Sequence, residues 1–151
     1  GAMDASPRGG RPGFVKVKDD NTIWIPDSPG NNRLDSLTNI IDTHRIGLLF
    51  LIPGVDETLR INGRAIVTDD EQIRAAVADE KRIPKVAIEV TVEEAYLHCA
   101  KALMRSQLWS DESRQDRSVL PTMGEMINDQ IGGKEPPETQ AEMIARYEKD
   151  L

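Results

Sequence analysis

The sequence predicts an α+β protein in which an antiparallel sheet curls into a small barrel flanked by short helices. Three observations predict it. Several segments show the alternating or continuous apolar pattern of strands. The helical patterns between them are few and short. A charged, turn-rich stretch then separates this region from two more short helical patterns near the C-terminus.

Phe14 to Lys18 alternates as Phe-Val-Lys-Val-Lys, and Thr22 to Ile25 is a second strand stopped by Pro26. Asp19-Asp20-Asn21 supplies turn residues between them, so the two predict a hairpin. Asp27 to Asn32 is a loop. Leu34, Leu37, Ile40 and Ile41 then form one apolar helical stripe, with Asn31 or Asn32 as the expected N-cap. Ile46 to Ile52 is apolar throughout and reads as a central strand, ended by Pro53-Gly54. Thr58 to Thr68 alternates: Leu59, Ile61, Gly63, Ala65 and Val67 take one face, Arg60, Asn62 and Arg64 the other.

Asp69 or Asp70 caps a short helix carrying Ile73, Ala76 and Val77. Lys85 to Val92 is a further strand, and Ala95 to Trp109 reads as helical. Ser110 to Ser118 is a polar linker. Thr122 to Ile131 predicts a helix closed by Gly132-Gly133, and Thr139 with Glu142 forms a capping box for a last one. We therefore expect a barrel domain over 1–109. Residues 110–151 are expected to form a linker and helical tail, packing on the barrel or on a partner subunit.

Composition narrows the function. Of 151 residues, 38% are hydrophobic and only 4% aromatic, so aliphatic side chains must build the core. The net charge of −7 lacks the basic footprint of a general nucleic-acid binder. An anionic ligand would have to be held by a local cluster of cations. Cys99 is the one cysteine, so no intramolecular disulfide forms; a reducing, cytoplasmic compartment is expected, with Cys99 buried and inert. The longest apolar run has strand length, so no membrane span is expected. With only His44 and His98 beside that cysteine, no metal site is expected. Gly1-Ala2-Met3 reads as a scar of tag removal.

Four constellations carry candidate chemistry. Gly30-Asn31-Asn32-Arg33 stands at a helix start, where free N–H groups and a guanidinium suit a phosphate; it also suits a plain capped helix. Arg8, Arg11, Lys16 and Lys18 form a local basic run, or equally a solubilising edge strand. Arg60, Asn62 and Arg64 share a strand face with Thr58, as the outward face of a half-buried sheet would. Lys101, Arg105 and Trp109 recur every four residues after His98-Cys99, so a helix would line them on one face toward a ligand or a partner. No dinucleotide fingerprint, P-loop or hydrolase signature is present.

Together these segments resemble the pyridoxamine 5'-phosphate oxidase-like family of flavin-binding split β-barrels. The resemblance rests on Ser6-Pro7-Arg8-Gly9, on Arg11 to Lys16, on Gly30 to Ile40, on Arg45 to Phe50 and on Glu57 to Ala65, in that order. His98 to Leu103, Leu120 to Met126 and the final helix are similar to an uncharacterised branch described as probable FMN-dependent enzymes. The resemblance implies an antiparallel split β-barrel and FMN held at a homodimer interface. It implies phosphate contacts at Arg8 or Arg11, Lys16, Asn31, Asn32 and Arg33, and backbone contacts to the flavin near Val15, Pro26 and Asp27. Thr58 stands where the family places a Gln against the flavin ring. Lys101, Arg105 and Trp109 would reach across the interface or flank the substrate. The family's pyridoxal-phosphate specificity near the C-terminus is not recognisable, and a helix and strand that the family places before Ser6 are not in this sequence. The leading expectation is an FMN-dependent oxidoreductase without a recognisable catalytic acid or base. A flavin carrier or sensor is the alternative, as is a deazaflavin or haem on the same barrel.

Overall fold

The computed structural model describes residues 3–30, 33–133 and 135–149; Asn31 and Asn32 lie outside the described residues. The chain divides into two units, Gly1–Trp109 and Ser110–Leu151.

In the first unit five antiparallel strands form one sheet in the order β1-β2-β5-β4-β3. These are β1 (Lys16–Asp19), β2 (Thr22–Pro26), β3 (Arg45–Phe50), β4 (Thr58–Thr68) and β5 (Ala87–His98). The predicted hairpin is β1–β2, with Lys16 opposite Trp24. The sheet bends around one aliphatic core: Ile23, Ile25, Ile61, Ala65, Ile88 and Val90 meet Leu37 and Ile40 of helix α1 (Asp35–Thr43), with Phe14, Ile46, Leu48 and Phe50 packed against them. This is the α+β barrel that the strand pattern predicts, in the split form that the resemblance implies. The alternation of β4 explains it, because its apolar face is the face α1 covers.

Several local expectations are corrected. The helix starts at Asp35 with Leu34 at its N-cap and no side-chain cap at that residue; Asn31 and Asn32, the expected caps, lie outside the described residues. Only Leu37 and Ile40 of its stripe are buried; Leu34 and Ile41 are exposed. A helix starting at Asp35 is long enough to cover the core with those two residues, and Asp35 itself places a negative charge on the positive end. Ile46–Ile52 is not central: β3 is an edge strand bonded to β4 alone. Ile46, Leu48 and Phe50 face the core, whereas Leu49, Leu51 and Ile52 are exposed.

The segment after Val92 is also strand, not helix. β5 continues to His98 because the long β4 offers a partner for every residue there, from Asn62↔Glu94 to Thr58↔His98. Between Asn62↔Glu94 and Gly63↔Val92 the ladder skips Glu93, a β-bulge. Gly63 is needed at this point. A Cβ there would stand 2.2 Å from the Thr91 carbonyl oxygen. Helix α2 (Glu71–Ala76) has its expected cap: Asp70 accepts from the Gln72 and Ile73 N–H groups.

Helix α3 spans only Lys101–Ser106, and Gln107 turns left-handed at its end with φ of 50°. The helix therefore stops before Trp109. Cys99, expected to be buried, is exposed. It follows the last residue of β5, whose C-terminal half is exposed.

The second unit begins with two short 3-10 turns, Asp111–Ser113 and Arg117–Val119, in place of the plain linker that the composition suggests. Helices α4 (Met123–Ile131) and α5 (Gln140–Tyr147) follow. Both carry complete capping boxes, Thr122 with Glu125 and Thr139 with Glu142. The Thr hydroxyls and backbone N–H groups hold Glu125 and Glu142 below the ordinary carboxylate value of 4.5, and the Arg146 guanidinium does the same for Glu138. A depressed folded value means these groups stabilise the helices above the unfolded value and lose that effect as pH falls through the folded one. Acid titration followed by circular dichroism is expected to melt helical signal below pH 4.5, the ordinary value of these carboxyls. The variant Glu125→Gln, Glu142→Gln should flatten that transition; an unchanged midpoint would refute the assignment.

Among the described residues no helix is long and apolar enough to cross a membrane.

Candidate functional site

Apart from Arg60, Asn62 and Arg64 within β4, the residues singled out by sequence fall into two groups at opposite ends of the sheet. The first group surrounds the end of β2. Arg8 donates to the Asp27 carboxylate, and both side chains are about three-quarters buried. Asp27 N–H donates to the Val86 carbonyl at 3.2 Å, which anchors this corner to the start of β5. Pro26 is buried and pairs with Ala87, and Ala87 in turn pairs with Thr68 at the end of β4. At the other end of the short N-terminal segment, the Ser36 hydroxyl donates to Asp4. Residues 4 to 8 thus reach from the start of α1 to the end of β2. They bracket the loop that carries Arg33.

Arg33 donates through Nε to Asp35 at 2.6 Å, and Asp35 and Asp4 both favour its charged form. Arg11 pairs with Glu80 at 2.5 Å on the open surface. Val15 packs against the core. Lys16 is exposed on β1 opposite Trp24, and Lys18 lies 3.7 Å from Glu89 and 5.5 Å from the Trp24 ring centroid. Lys16 has no ion pair among the described residues.

This corner suits an anion in the kind of donors it offers, but not as a vacant cradle. Arg8, Arg11 and Arg33 each already hold a carboxylate. Exposed ion pairs are weak, so a dianion that brings more charge and more acceptor oxygens can exchange with them. The exchange is hardest at Arg8, the most enclosed of the three pairs.

The second group lies at the far end of β4. Thr58 is buried and pairs with His98. Three residues later α3 begins, with Lys101 and Arg105 exposed. Trp109 is beyond the left-handed turn at Gln107, and its indole N–H donates to the Val55 carbonyl at 2.9 Å. It does not continue the helical stripe that its spacing suggests.

Two features escape the sequence reading. The Asp4–Ser36 tether has no sequence signal, because it joins exposed polar residues 32 apart. The Glu93–Glu94 bulge does have one: two adjacent glutamates break the alternation of Val90 and Val92.

A profile of the family described as pyridoxamine 5'-phosphate oxidase matches residues 2–99, more than half of the chain. The chain belongs to the pyridoxamine 5'-phosphate oxidase-like family. The matched span contains every strand of the split barrel and both ends of β4. Among solved structures, HupZ from Group A Streptococcus at 1.70 Å is similar with a TM-score of 0.47 and 18% identity, covering 56% of this chain and 68% of that one. A single-residue variant of HupZ at 1.98 Å has the same TM-score and identity, with 73% of its chain covered. No curated protein matches.

Proposed function

We propose that this chain is an FMN-binding split barrel, acts as an FMN-dependent oxidoreductase, and works as a homodimer with the cofactor at the subunit interface. The observation that carries the reading is the separation of the two groups. β4 is 11 residues long, so Thr58 lies about 33 Å along the strand from Thr68, beside which Pro26 and Asp27 stand. A flavin with its ribityl phosphate is much shorter than that strand. Both groups touch one cofactor only when they come from different copies of the chain.

On this reading Arg8, Lys16 and Arg33 neutralise the phosphate, and Asn31 and Asn32 complete its hydrogen bonds. Val15, Pro26 and Asp27 offer backbone groups to the flavin. Thr58, Lys101, Arg105 and Trp109 of the other copy close the ring side. FMN supplies the electron-transfer chemistry when bound; the protein supplies position, charge and exclusion of water.

The test is titration with FMN, using riboflavin as the control and flavin fluorescence as the readout. FMN is expected to bind saturably and riboflavin much more weakly. Asp27→Asn removes the carboxylate that competes for Arg8 and should tighten FMN about threefold to tenfold without changing riboflavin. Equal binding of FMN and riboflavin would refute the phosphate site.

A further inference from the structure

Three outward-facing features of the sheet have no part in the flavin reading: Arg60 with Asn62, the Glu93–Glu94 bulge, and Gly47 on the edge strand. They surround one open depression of about 480 Å³, lined by Arg45, Gly47, Arg60, Asn62, Glu93 and Glu94, with the backbone of Ile46 and Gly63 beneath. Its floor is low at Gly47, which sits opposite Asn62 on the outward face and carries no side chain.

The rim is charged and mutually oriented. Arg60 donates through Nε to the Asn62 carbonyl at 3.2 Å, and the Asn62 amide donates to Glu94 Oε2 at 3.0 Å. Arg45 donates through Nη1 to Glu93 Oε2 at 2.5 Å. This chain of bonds fixes the head groups yet leaves half of each unused. The terminal nitrogens of Arg60 carry no hydrogen bond among the described residues, which leaves a two-pronged donor suited to a carboxylate. Oε1 of Glu93 and of Glu94 likewise remain as acceptors.

A further charge needs explanation. Arg64 is directly opposite Arg45, and like charges in that relation oppose pairing. Glu93 answers for Arg45, and Arg64 has no ion pair among the described residues. The region therefore carries three guanidiniums against two carboxylates. A purely structural outward face would be served by threonines or by matched pairs.

We propose that this depression binds a small zwitterion, a molecule carrying both a carboxylate and an ammonium group. The carboxylate docks on Arg60, with Arg64 adding to the local field. The ammonium docks on the free oxygens of Glu93 and Glu94. The proposal does not depend on the flavin reading and is tested on the full chain without FMN.

The probe is 4-aminobutyrate, followed through the amide NMR signals of Gly47 and Gly63. Butyrate and butylammonium serve as half-probes. Saturable shifts are expected with 4-aminobutyrate, and affinity at least about tenfold lower for either half-probe. Arg60→Gln should weaken the zwitterion about tenfold or more, with spectra elsewhere unchanged. Gly47→Val fills the floor with a good strand former on an exposed edge and should abolish the shifts while leaving every charge in place. If that variant unfolds, Arg60→Gln decides alone. Absence of saturable shifts, equal binding of the half-probes, or an Arg60→Gln protein that binds as well as the parent would overturn the proposal.

Discussion

Mixing Arg8→Ala chains with Lys101→Ala, Arg105→Ala chains is expected to restore FMN sites that neither variant has alone. Arg8 stands beside Asp27 at one end of the sheet, and Lys101 follows Thr58's partner His98 at the other. If one flavin takes its phosphate from the first end of one copy and its ring contacts from the second end of another, each variant homodimer has two defective sites. A mixed dimer then has one site with both defects and one with none. Random exchange of subunits makes about half of the dimers mixed, so about a quarter of all sites should regain parent affinity. Each defect alone removes charge-assisted hydrogen bonds worth about 1.5–3 kcal/mol, or roughly tenfold to a hundredfold in affinity. The measurement is stoichiometric FMN titration before and after unfolding and refolding the mixture. Recovery of no sites would sink the shared-site reading and leave each copy to bind flavin by itself.

Gly63→Ala is expected to destabilise the sheet by about 3 kcal/mol or more, at the upper end of what overpacking costs. The added Cβ would meet the Thr91 carbonyl oxygen at 2.2 Å, its carbon at 3.1 Å and Val92 Cα at 3.3 Å. All three are backbone atoms of the paired strand, so no rotamer change relieves them. β4 and β5 must part at the bulge, which is where the ladder is already interrupted. The contrast is Gly47→Ala, whose Cβ has only the Asn62 side-chain oxygen within 4 Å, at 3.5 Å. Urea denaturation should show a large drop in midpoint for the first and little change for the second. Equal midpoints would mean that the strands approach less closely at Gly63 than this structure has them.

The helix caps, the hairpin, the polar and apolar faces of β4 and the family itself are legible in the amino-acid sequence. Asp70, Thr122 and Thr139 are local devices, in which a side chain meets a backbone group two or three residues away. The roles proposed for Arg8, Lys16 and Arg33 come instead from the family resemblance, which is carried by short segments in a set order. The corrected expectations share a cause. Ala95–His98 reads as helical because its residues have no period-two signal of their own, and only pairing with β4 extends the strand through them. The expected stripe from Lys101 to Trp109 fails because Gln107 takes a left-handed conformation that spacing cannot reveal.

Local chemistry, then, determined which residues carry charge, which faces are apolar and where α2, α4 and α5 begin. The tertiary structure decided which distant residues share a place. It made the apolar run at Ile46 an edge strand, put Arg8 on Asp27, and tied Asp4 to Ser36. It also sent Thr58 to the opposite end of the sheet from Asp27. Strand order and bulges depend on pairing between residues far apart in the chain. A pattern with a period of two or 3.6 reports which way a side chain points, and says nothing about the strand on the other side of it.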